Sequence, residues 1–207
     1  MCNMVNFPIV IYSHSSYSDA WPLILGQLNL FIPDTKIILF TDSDPLNGNY
    51  RTIFYNNDLN YNERVIQCLQ QIDDEVILFT HEDMPLYKTP DFKRLNTYAK
   101  YINDNIADSI KLIFAGWHFK SKKSDFDETL SKNKLSRFSI QPTLLKPSTL
   151  IKILKKYPSS NIWELERKIA NSWRHPFSEF CCNLTAEKHG NHFDCEAYPY
   201  IATAIVK

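Results

Sequence analysis

Three short runs that are apolar at consecutive positions, each ending in polar or acidic residues, constrain this chain more than any other feature. Residues 7–12 end in Ser13-His14-Ser15, residues 36–41 end at Asp42, and residues 75–80 end in His81-Glu82-Asp83. A strand with one wet face alternates apolar and polar side chains. A run without alternation must be covered on both sides, which is the condition of a strand inside a parallel sheet. A further strand is read at 51–55. Helical spacing fills the gaps: residues 20–30, capped by Ser18 or Asp19, with Trp21, Leu23, Leu25 and Leu28 as the apolar face, and residues 61–72, where Val65, Ile66 and Leu69 recur on one side. Strands alternating with helices predict an α/β fold, a central mixed and mainly parallel sheet flanked by helices, Rossmann-like in architecture.

Ligands of such sheets bind outside the carboxyl ends of the strands. Ser13, His14, Ser15, Asp42, His81, Glu82 and Asp83 are therefore expected along one edge, although the sequence separates them. The second half is less regular. Helices are read at 94–106, 148–157 and 162–173, the last behind an Asn161 cap, and strands at 110–115 and 138–141. Residues 120–137 read as a long mobile loop of the kind that is functional or disordered. The chain stops inside an apolar run, 201–207, which points to a domain of a longer polypeptide.

Composition removes several classes. The 207 residues hold 23 basic and 23 acidic side chains, without the basic excess that phosphate neutralisation needs, so nucleic acid is not an expected partner. The four glycines, Gly26, Gly48, Gly116 and Gly190, lie too far apart for a GxxxxGK[ST] loop or a GxGxxG turn. No stretch approaches the ~20 apolar residues of a bilayer span, and residues 7–12 lack the flanks of a signal peptide. Five cysteines, an odd number with no CxxC pair, predict no disulfide framework and a reducing, cytoplasmic setting. Cys182, His189, His192 and Cys195 can be written as a zinc set, but structural zinc sites bring cysteines in close pairs. No GxSxG element supports nucleophilic hydrolysis.

The residues that can carry chemistry follow. His81-Glu82-Asp83 precedes Met84-Pro85, where a central strand must end, and its carboxylates can hold a hard divalent cation. The competing reading is a solvated strand end. Asp42 can accept from a ribose hydroxyl or a base N–H, or simply form a turn. Arg64 can fork onto a diphosphate, or pair with Glu63 or Asp58 on the surface. Glu164 and Glu166, at the start of a helix, suit the macrodipole, and one of them can serve as general base toward an acceptor hydroxyl. Late in the chain, a His or Asp can complete a divalent-metal site.

In this order the parts resemble the nucleotide-sugar glycosyltransferases of the GT-A fold, whose D-x-D-type motif holds Mn2+ or Mg2+ against the donor diphosphate. Four longer strings, Tyr61-Asn62-Glu63-Arg64, Leu78-Phe79-Thr80-His81-Glu82-Asp83-Met84, Phe138-Ser139-Ile140-Gln141-Pro142 and Pro199-Tyr200-Ile201-Ala202-Thr203-Ala204, look like the amino-terminal glycosyltransferase domain of chlorovirus capsid-glycan-synthesis proteins. The resemblance covers essentially the whole chain. It implies a single domain over 1–207, with a nucleotide- and metal-binding half to about 115, an acceptor-side half after it, and further domains downstream.

It also implies a UDP-sugar donor, a glycan or glycoprotein acceptor, and work on viral capsid glycans in host cytoplasm. Asp83 becomes the main metal ligand and a catalytic residue, with His81 or Glu82 at the other acidic-motif position, where this chain departs from the usual Asp. Ser13, His14, Ser15 and Asp42 line the nucleoside pocket, and Arg64 helps hold the donor. His192 or Asp194 fills the late metal position, and Gln141, Trp117 and the mobile loop face donor sugar and acceptor. Two alternatives stand beside this reading. A nucleotidyltransferase would release pyrophosphate, and a non-catalytic glycan-binding module would use the 14% aromatic content as stacking platforms.

Overall fold

The structure, a computed structural model, describes residues 4–43, 48–114, 123–132, 142–170, 178–182, 185–189 and 192–201. Among these, β1 (Ile9–Tyr12), β2 (Ile37–Thr41), β3 (Arg51–Phe54) and β4 (Ile77–His81) form a parallel unit in the order β3-β2-β1-β4. The sheet continues through β7 (Thr143–Leu145), antiparallel to β4, and β5 (Ser109–Phe114), antiparallel to β7. Beyond β5 lie β8 (Glu179–Cys182), which carries β6 (Leu130–Lys132), and the hairpin of β9 (Thr185–His189) and β10 (His192–Cys195). The fold is thus α/β, with a mixed, mostly parallel sheet.

Why three strands carry no polar alternation is plain from the two cores. Ile9, Ile11, Ile37, Leu39 and Leu78 pack on one face, against Trp21, Ile24 and Leu28 of α1 (Trp21–Phe31) and Leu95, Tyr98 and Ile102 of α3 (Phe92–Asn103). Val10, Tyr12, Ile38, Phe40, Ile77 and Phe79 face the other way. They meet α2 (Tyr61–Leu69), α4 (Pro147–Lys156) and α5 (Ile162–Ala170) through Val65, Leu69, Leu150, Ile153, Leu154, Leu165 and Ile169. Asn60 starts α2 with a complete capping box to Glu63, and Asn161 Oδ1 accepts from the Glu164 N–H at 2.9 Å to start α5.

Several expectations need correction. α1 begins without a side-chain cap, at Ala20 with Pro22 in its first turn, and not on Ser18 or Asp19. Its buried side is Trp21, Ile24 and Leu28, spaced three and four apart, which leaves Leu23 49% exposed. The segment read as a mobile loop contains β6, whose Leu130 is fully buried. The strand expected at 138–141 lies outside the described residues, while β7 forms just after it. The cysteines also behave differently: Cys182 and Cys195 form a disulfide between β8 and β10, with Cα atoms 6.1 Å apart, so they are not thiolate ligands for zinc. They lie thirteen positions apart in sequence, and only the sheet brings them together.

A charge pair sits within this sheet. Lys111 Nζ of β5 lies 3.3 Å from Glu179 Oε1 of β8, and both side chains are essentially inaccessible to water. Removing one partner strands the other charge in the interior. Lys111→Met is expected to cost about 3–5 kcal/mol in urea unfolding, and the double variant Lys111→Met/Glu179→Leu to regain most of it. Equal losses in the single and double variants would refute this account.

Candidate functional site

At the carboxyl ends of β1 and β2 the chain builds a cradle around one carboxylate. Asp42 Oδ1 accepts from the Ser15 N–H at 2.7 Å, and Oδ2 accepts from the Ser15 hydroxyl at 2.8 Å. His14 Nε2 lies 3.4 Å from Oδ2. Burial by itself would raise the Asp42 pKa, but the Ser15 bonds outweigh it, and the carboxyl ends below its ordinary value. Ser13 is buried beneath, its Oγ accepting from Trp21 Nε1 at 2.7 Å and its carbonyl from the Tyr55 hydroxyl at 3.0 Å.

Next to this cradle lies a floor of rings. Tyr12 stacks on Tyr55 with centroids 5.4 Å apart and meets Tyr61 edge-on at 5.0 Å. The Tyr61 hydroxyl is 3.2 Å from His81 Nε2 at the end of β4. Enclosure by these rings pushes the His81 pKa down to about 4, so the imidazole is neutral at physiological pH. Arg64, expected to help hold the donor, donates from Nε to the Leu59 carbonyl at 2.7 Å and from its guanidinium to the Asn57 carbonyl. Its Cζ lies 5.4 Å from the Tyr55 ring centroid. In this geometry Arg64 fastens the β3–α2 loop to the ring floor.

Glu82 sits beside Ser13. Burial and the charge of Asp83 push its pKa up to about 7, against the opposing pull of its own backbone N–H and the Ser13 hydroxyl. After Asp83 the chain runs antiparallel to 197–201. Tyr87 N–H donates to the Pro199 carbonyl, Ile201 N–H to Pro85, and Leu86 bridges Tyr200. This return brings in Asp194 of β10, buried, with Oδ2 accepting from the Tyr87 hydroxyl at 2.7 Å. Tyr200 lies within the fields of both Asp194 and Asp83, which add to burial in raising its pKa. Among the described residues its buried hydroxyl makes no hydrogen bond.

The two helix carboxylates part company. Glu164 Oε2 accepts from the Ser160 N–H and hydroxyl, both at 2.8 Å, and Oε1 pairs with Lys168 at 2.9 Å. These bonds lower its pKa to about 2, which makes it a weak base and a helix-end fastener. Glu166 instead acts on Tyr61, whose pKa is raised first by burial and then by neighbouring charges that include this carboxylate. Gln141, Trp117 and the side chain of His192 lie outside the described residues. Among the described residues, no three His, Cys, Asp or Glu side chains converge as a metal cage. Sequence reasoning missed Tyr12, Tyr55, Tyr61, Tyr87 and Tyr200. The available signal was that Tyr12 and Tyr61 stand at a strand end and a helix start beside residues already singled out.

No protein-family model and no curated protein matches the chain. Among solved structures it is similar to TarS 1–349 from S. aureus, with a TM-score of 0.52 and 14% identity over 91% of this chain and 60% of that one. It is also similar to bifunctional IspDF from Campylobacter jejuni, at TM-score 0.46 and 14% identity, covering 93% of this chain and 52% of that one. For 4-diphosphocytidyl-2C-methyl-D-erythritol synthase from Anaerococcus prevotii the values are 0.49 and 12%, with 86% and 88% covered. The chain thus spans less than two thirds of the IspDF and TarS chains. At such identity the likeness to TarS speaks for the fold: a Rossmann-like α/β arrangement.

The titrations at the strand edge oppose one another. Unfolded His81 takes up a proton near 6.5 and the native residue only near 4, so it makes stability fall as pH drops between those values. Native Glu82 keeps a proton to about pH 7 and the unfolded residue releases it near 4.5, so it makes stability fall as pH rises through that window. Glu82→Gln removes the second effect. Urea titrations are expected to show its stability gaining on the parent progressively from pH 4.5 to 7, and a constant difference would refute the buried-carboxyl assignment.

Proposed function

We propose that this chain is a metal-dependent glycosyltransferase that moves a hexose or deoxyhexose, such as glucose or rhamnose, from a UDP carrier to a glycan hydroxyl. The observation that supports it best is the convergence of Asp42 with Ser13 to Ser15, and of His81, Glu82 and Asp83, on one edge of parallel strands, with Asp194 returned beside them. The resemblance of the four sequence strings extends the reading to capsid glycans, with further domains downstream.

The residues present suit a divalent cation. Asp83 and Asp194 both act on the Tyr200 hydroxyl, which has no partner among the described residues, and one or two carboxylates completed by substrate phosphates are the usual setting for Mg2+, with Mn2+ favouring the same hard oxygens. A bound ion of this kind would neutralise charge on the departing UDP. The protein's own part is positioning. Asp42, held ionised by Ser15, offers acceptor oxygens to ribose or base N–H groups, and the ring floor under His81 fixes the edge on which the donor lies. Glu166, rather than Glu164, has the placement for a base near the reacting edge.

Calorimetric titration with UDP, GDP and CMP, each with Mn2+ and with EDTA, tests the donor site. UDP binding only with Mn2+, lost in Asp83→Ala, is the expected result. No nucleotide binding under any condition would overturn the enzyme reading and favour a glycan-binding module. For the base, Glu166→Gln is expected to lower kcat about 100-fold or more, while Glu164→Gln leaves it within a few-fold. The opposite ranking would remove Glu166 from its role.

A further inference from the structure

The most exposed large apolar side chain among the described residues is Trp163, 77% exposed on the first turn of α5. Helical geometry puts it there. Leu165 and Ile169 point into the core, so Trp163 stands on the outer side, and Glu166, three residues on, is its neighbour on the helix surface. The turn that carries it is firmly held. Asn161 and Glu164 cap it, Lys168 pairs with Glu164 and donates to the Pro158 carbonyl, and the Ser160 carbonyl accepts from the Tyr61 N–H at 3.3 Å.

That last bond fixes the location. Tyr61 starts α2 at the carboxyl edge of the sheet and reaches His81, and the charge of Glu166 acts on the same tyrosine. A large indole face in water, on a rigid helix rather than a loop, thus lies on the turn that the Ser160–Tyr61 bond holds at this edge, with the Glu166 carboxylate one helical turn on. The pair offers what a sugar ring needs: a flat apolar surface for its C–H face and an acceptor for its hydroxyls.

We propose that Trp163 and Glu166 form the acceptor subsite, Trp163 stacking under a neutral sugar ring and Glu166 accepting a hydrogen bond from its nucleophilic hydroxyl. This rests on the transferase reading above. In the reaction the acceptor oxygen would bond to the sugar's anomeric carbon as the bond to UDP breaks, with the hydroxyl proton passing to Glu166 and UDP leaving with the electron pair.

The test uses the whole chain with 15N-labelled tryptophans, of which it has four. With UDP and Mg2+ present, methyl glycosides of glucose, galactose, mannose, rhamnose and xylose are titrated as probes, and the indole resonance that vanishes in Trp163→Phe is followed. At least one glycoside is expected to shift that resonance saturably. Ligand-observed NMR should then show its binding weakened at least tenfold in Trp163→Ala and largely kept in Trp163→Phe, with UDP affinity unchanged in both. If UDP binds and no glycoside moves the Trp163 resonance, the subsite is overturned. If UDP does not bind and glycosides still move it, the transferase reading falls and the acceptor role falls with it, leaving only a sugar-binding face.

Discussion

Strand β1 has hydrogen-bonded neighbours along both edges and helices over both faces, and all four of its residues are buried. A strand so enclosed has nowhere to place a polar side chain until it ends. Ser13, His14 and Ser15 therefore emerge together, beside the ends of β2 and β4, which are held to β1 in parallel register. The Asp42 cradle follows from that register: Tyr12 pairs with Phe40 on one side and with His81 on the other, so the next residues on each strand share one edge.

Beneath that edge the protein uses rings where a hydrated site would hold water. Tyr12, Tyr55 and Tyr61 are nearly inaccessible, and burial at this edge disfavours the charged forms of His81 and Glu82. His81 is held neutral and Glu82 is held near half-protonation at pH 7, whereas Asp42, given two strong donors by Ser15, stays charged. Three titratable groups on one edge thus have three different states: burial dominates at His81 and Glu82, and at Asp42 the Ser15 donors outweigh it.

The C-terminal segment completes the edge from outside the parallel unit. Its antiparallel run against 85–91 brings Tyr200 within the fields of both Asp83 and Asp194, and the Cys182–Cys195 disulfide ties β10 to β8 immediately beside Asp194. A residue more than one hundred positions away in sequence is in this way held by the Tyr87 hydroxyl, four residues after Asp83.

The sequence by itself determined the parallel unit and its polar edge, because continuous apolar runs can be satisfied only by two-sided burial, and polar residues after them can only face the strand ends. It also located α2, where Val65, Ile66 and Leu69 recur at helical spacing, and α4 and the start of α5, the last behind its Asn161 cap. Only the tertiary structure decided the rest. The short strands β6 to β10 carry no periodic signal and exist through long-range pairing, and the Cys182–Cys195 bridge and Lys111–Glu179 pair are products of that pairing. The parting of Glu164 from Glu166, and the turning of Arg64 to backbone carbonyls, were likewise settled by side-chain direction. Residue type and spacing state which groups are available, and packing alone states what each one faces.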